Sequence, residues 1–102
     1  MKQITLNLEK DIAEKLNSYI QIFGNDNLFV DKFMDFQKRR LKKEIALMKI
    51  DLINFEKKYN KKSEVFYSEF QEGNAGDSED FLLWSGIFEM YLDSKNKLST
   101  LA

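Results

Sequence analysis

The stretch Lys2-Gln3-Ile4-Thr5-Leu6-Asn7-Leu8 alternates polar and apolar side chains, with Gln3, Thr5 and Asn7 in one phase and Ile4, Leu6 and Leu8 in the other. A period of two places these sets on opposite faces of a β-strand. A single amphipathic strand leaves a row of backbone N–H and C=O groups without partners, so it requires a second strand. No other segment of the chain repeats the pattern, and the expected partner is the same strand of a second copy. The sequence therefore predicts a mainly α protein with one N-terminal β-strand, paired across a homodimer.

Outward from this stretch the chain reads as helices. Ile12, Leu16, Tyr19, Ile20 and Phe23 recur at three- and four-residue spacing and are stopped by Gly24. Asn25 or Asp26 can cap the next helix, whose first apolar stripe is Phe29, Phe33 and Phe36. Leu41, Ile45, Met48, Leu52, Phe55 and Tyr59 then step by 4, 3, 4, 3 and 4, a heptad-like seam. One helix from about Asn27 to Tyr59 would span roughly 50 Å at 1.5 Å per residue and needs a second long helix beside it. That neighbour is either its symmetry mate or the last helix of the chain. Ala46, Ile50 and Ile53 form a second stripe that calls for a further neighbour.

The Asn60-Lys61-Lys62-Ser63 stretch is a break followed by an N-cap, and Val65, Phe66 and Phe70 mark a short helix ended by Gly73. After the loop Gly73-Asn74-Ala75-Gly76, Asp77 or Ser78 caps a last helix with the face Phe81, Trp84, Phe88, Tyr91 and Leu92. Glu79 and Asp80 sit in its first turn, where the helix dipole favours anions. Three segments follow from this reading: 1–40 for dimerisation, 41–62 as a helical extension, and 63–102 as an acidic, aromatic helical segment.

The composition narrows the chemistry. In 102 residues there is no His and no Cys, which removes imidazole catalysis, thiol nucleophiles and disulfides. Asp77, Glu79 and Asp80 do not follow calcium-loop spacing, and no Gly-rich phosphate loop is present, so neither an enzyme nor a cofactor is expected. No apolar run reaches membrane-spanning length and Met1 leads directly into the strand pattern, so a cytoplasmic location is expected. The net charge of −1 conceals a segregation: residues 1–62 carry 14 Lys/Arg against 9 Asp/Glu, and residues 63–102 carry 2 against 8. Two halves of opposite sign suggest two kinds of partner.

The run from Lys2 to Leu8, then Glu9-Lys10-Asp11-Ile12-Ala13-Glu14-Lys15-Leu16, then Gly24-Asn25-Asp26-Asn27-Leu28-Phe29-Val30, resembles the ribbon-helix-helix family of DNA-binding proteins. The resemblance implies a ribbon-helix-helix dimer with a long second helix and two further C-terminal helices. It implies that Gln3, Thr5 and Asn7 read bases in operator DNA, and that Lys2, Asn25, Asp26 and Asn27 bind backbone phosphate. Gln and Asn can pair with adenine and Thr can touch thymine, and the exposed N–H groups of a helix start bind anions. A ribbon that serves dimerisation alone fits the same residues. The cluster Lys38-Arg39-Arg40-Lys42-Lys43 is a second candidate for nucleic-acid contact, with a solvated helix face as its equal alternative.

The later run of Phe55, Tyr59, Phe66, Phe70, Gly73, Gly76, Asp77, Phe81 and Trp84 resembles the C-terminal region of antitoxins encoded beside small toxins. It implies a transcription repressor that neutralises a basic toxin protein, with Phe66, Phe70, Phe81, Trp84 and Phe88 as partner-binding anchors. The same aromatics could instead be core folded against the Leu41 to Tyr59 seam. A helical protein-interaction or scaffold protein is the alternative function.

Overall fold

The computed structural model describes residues 1–101; Ala102, which closes the expected 63–102 segment, lies outside the described residues. Four helices account for the regular structure: α1 (Lys10–Phe23), α2 (Asp26–Tyr59), α3 (Ser63–Gln71) and α4 (Glu79–Leu101). Residues 1–9 precede α1 without regular secondary structure, and no strand occurs among the described residues. The expected N-terminal β-strand, and with it the ribbon-helix-helix fold, is therefore corrected to an all-helical one. Alternation fixes which side chains share a face but forms no hydrogen bond. A strand exists only when a neighbour supplies the ladder.

The helix boundaries follow local chemistry closely. Gly24, at φ +100°, ends α1 in backbone space that L-residues rarely enter, and its N–H returns to the carbonyls of Ile20 and Gln21. Asn25 is the cap of α2: its Oδ1 accepts the Leu28 N–H at 2.9 Å. Asn60 turns the chain at φ +50°, a conformation that Asn tolerates better than most residues. Ser78 Oγ accepts the Phe81 N–H at 3.3 Å, which makes it, rather than Asp77, the cap of α4.

The chain forms two compact units, one covering Met1–Phe36 and one running from Gln37 onward. In the first unit no residue is buried; Ala13, Leu16, Ile20 and Phe29 are half-buried, and Phe29 touches the rings of Phe23 and Phe33.

The second unit contains the core. Leu52 from α2, Phe66 from α3, and Trp84, Ile87, Phe88 and Tyr91 from α4 form one buried cluster, with Ile45, Met48, Phe55 and Tyr59 packed against it. The seam of α2 therefore packs on the last helix of its own chain. Phe55 stacks on Trp84, Lys58 and Tyr59 meet Asp80, and Lys49 lies over Tyr91, so α2 and α4 run antiparallel. Ala46, Ile50 and Ile53 stay exposed, so the neighbour expected for the second stripe is not found among the described residues.

Candidate functional site

Three places carry chemistry beyond simple packing. The first is a junction where three helices share hydrogen bonds. The Trp84 ring of α4 is fully buried and parallel to Phe66 of α3 at 3.8 Å between centroids. Its Nε1–H donates to Ser63 Oγ at 3.0 Å, and the Ser63 main-chain N–H donates to Glu56 Oε2 of α2 at 2.9 Å. The sequence suggested Ser63 as an N-cap; instead it is the first residue of α3, and the carboxylate of another helix caps its N–H. Burial pushes the Glu56 carboxyl up, but the Ser63 main-chain and side-chain hydrogen bonds, with the charges of Lys62 and Lys49, outweigh it and hold the group below its usual range.

A second polar node joins the end of α2 to the start of α4. Asp80 Oδ2 accepts from Lys58 Nζ at 2.6 Å and also from the Tyr59 hydroxyl. The hydrogen bonds from Lys58 and then Tyr59 hold the Asp80 carboxyl below its ordinary range, and the Asp80 hydrogen bond raises both Tyr59 and Lys58. Asp80 therefore ties two helix ends together, beyond the dipole role read from its place in the first turn.

These nodes decide the fate of the proposed partner anchors. Phe66, Trp84 and Phe88 are buried, and Phe70 and Phe81 are half-buried against the same cluster. In this fold Phe66, Trp84 and Phe88 belong to the core, and Phe70 and Phe81 pack against it with part of each ring left accessible. A short helix cannot bury its aromatic stripe alone, and the α2 seam lies within reach to cover it.

The third place is the surface of residues 1–36. Gln3, Thr5 and Asn7 are exposed, as is Lys2. Asn25, assigned to phosphate, has its side-chain oxygen engaged as the α2 cap, while Asp26 and Asn27 are exposed in the first turn of that helix. Around these polar groups lie Ile4, Leu6, Leu8, Ile12, Tyr19, Ile22, Phe23, Leu28, Val30, Phe33, Met34 and Phe36, all exposed. In the basic cluster Lys38 is half-buried, and Arg39, Arg40, Lys42 and Lys43 are exposed, with Arg40 held 3.5 Å from Glu44.

Among the described residues no group of three or more His, Cys, Asp or Glu side chains is placed to hold a metal. No helix among them is long and apolar enough to cross a membrane. Leu47, Leu83 and Met90 are further exposed apolar residues of α2 and α4 that no expected packing face includes. Their signal was present as apolar side chains outside the stripe assigned to each helix. No family model, no curated protein and no solved structure matches the chain.

Proposed function

We propose that the chain acts by binding, as a homodimeric antitoxin that contacts operator DNA and holds a basic toxin protein. The observation that carries this reading is the surface of residues 1–36: a dozen apolar side chains from Ile4 to Phe36 are exposed and no residue there is buried. Apolar surface on that scale loses favourable burial unless another molecule covers it. A second copy presents the same surface and covers it by symmetry. Gln3, Thr5 and Asn7 are exposed in the first unit and supply donors and acceptors for base edges; Lys42 and Lys43, exposed in the second unit, supply positive charge. The acidic second half suits a basic protein.

A helical interaction protein without DNA binding is the second reading, and one specific observation favours it. Residues 1–36 hold four Lys against six Asp/Glu, so the self-associating surface is not itself a cationic one. Sedimentation and a DNA titration at two salt concentrations separate the two. The antitoxin reading expects a dimer whose affinity for its own upstream DNA falls steeply with salt. A dimer that ignores DNA at low salt leaves the interaction protein, and a monomer overturns both.

A further inference from the structure

α3 covers only one side of the line where α2 and α4 meet. Tyr67 and Phe66 of α3 pack on Phe88 and Trp84, whereas two other clefts between α2 and α4 include no α3 residue. One, of about 430 Å³, is lined by Glu44, Leu47, Met48, Met90, Asp93 and Ser94. The other, of about 410 Å³, is lined by Asp51, Asn54, Phe55, Lys58, Leu83 and Ile87.

The two clefts are consecutive along both helices. The α2 residues fall at 44, 47, 48, 51, 54, 55 and 58, the three- and four-residue spacing of a single helix face. The α4 residues fall at 83, 87, 90, 93 and 94, which matches that face in the antiparallel sense. Together they make a groove about four turns, or ~20 Å, long. Its floor is apolar, and Leu47, Leu83 and Met90 in it are each more than half exposed.

The rim charges select the occupant. Glu44, Asp51 and Asp93 border the groove. Arg40 and Lys97 approach Glu44 and Asp93 only as exposed pairs one turn along the same helix, which a partner's cation displaces at little cost. Lys58, the one cation in the lining, is held by Asp80. Nucleic acid is repelled by the rim carboxylates.

We infer that the α2–α4 groove receives a basic amphipathic helix of a partner protein, its apolar face on Leu47, Leu83 and Met90 and its Lys or Arg side chains on Glu44, Asp51 and Asp93. This rests on the reading that the chain holds a basic protein, and it assigns that contact to a surface distinct from the buried aromatics. The mode is helix-in-groove recognition, with anchors at i, i+3 or i+4, and i+7.

The test is an anisotropy titration of the full chain with a labelled 16-residue helical peptide bearing Leu at those anchor positions and Lys on its flanks. A twin peptide carries Glu in place of Lys. The Lys peptide is expected to bind at least tenfold more tightly than its twin, and Leu83→Glu with Met90→Glu to weaken it at least tenfold. Asp51→Lys with Asp93→Lys is expected to reverse the preference between the peptides. Trp84 is the only Trp of the chain, so unchanged emission and helicity show that each variant keeps its core. Equal binding of both peptides, or binding abolished by Ile50→Glu on the other face of α2 but not by the groove variants, overturns the proposal. A self-association that Met90→Glu dissolves also overturns it, since the groove then belongs to a second copy. Failure of the peptide to bind a chain that still dimerises on DNA removes the groove and spares the functional reading. Peptide binding by a chain that neither dimerises nor binds DNA does the reverse.

Discussion

Residues 1–36 and the unit that begins at Gln37 use the same material in opposite ways. The first carries Phe23, Phe29, Phe33 and Phe36 and buries none of them, whereas the second carries Phe66, Phe88, Trp84 and Tyr91 and buries all four. Aromatic content therefore does not create a core; a third element that closes over the rings does. In the second unit α3 supplies that element, and its Ser63 links Glu56 of α2 to Trp84 of α4. The first unit has only α1 and the opening turns of α2, too few surfaces to enclose a side chain.

Trp84→Ala removes a fully buried ring in contact with Phe55, Tyr59, Phe66 and Phe81, and is expected to cost about 3–5 kcal/mol in a denaturant titration. A loss under 1 kcal/mol would show that the second unit is no better packed than the first.

The first unit should respond in association instead. Leu6→Glu with Phe33→Glu places charge on exposed apolar positions and is expected to raise the dimer dissociation constant about a hundredfold, ~2.7 kcal/mol. Unfolding of the second unit, followed by Trp84 emission, should move by no more than about 0.5 kcal/mol. Sedimentation equilibrium that finds the same dimer in wild type and variant contradicts the assignment of that surface to self-association.

Ser63→Ala probes the junction more gently. The substitution leaves the buried Trp84 Nε1–H without its acceptor and is expected to cost about 1–3 kcal/mol, and Ser63→Thr, which keeps the hydroxyl, should recover part of it. If alanine is as stable as the wild type, the hydroxyl contributes nothing.

The smallest effect is in acid. Glu56 and Asp80 both have carboxyl groups held below their ordinary range in the folded chain, so the unfolded chain binds protons first as pH falls. Their contribution is complete above the unfolded pKa values, begins to fade below about pH 5 and is lost as pH drops through the lower folded values. Denaturation midpoints measured from pH 7 to pH 3 should fall, and the Glu56→Gln and Asp80→Asn variants should each flatten that fall. A pH-independent difference between wild type and variants would assign these residues a purely steric role.

The extent of each helix was largely legible from residues alone. Gly24 and Asn25 mark the α1–α2 corner, Asn60 the end of α2, and Ser78 the start of α4, because capping and left-handed turns are settled within a few residues. The 4-3-4 seam from Leu41 to Tyr59 was equally legible as a packing face, since helical spacing alone aligns it. Three things were decided only in the folded chain, each because it depends on what lies opposite: whether Lys2 to Leu8 has a strand beside it, whether Phe66 and Trp84 face a partner or each other, and which side of α2 and α4 is left open. Periodicity states that a face is apolar. Only tertiary packing determines what covers it, because burial belongs to pairs of surfaces and not to either one.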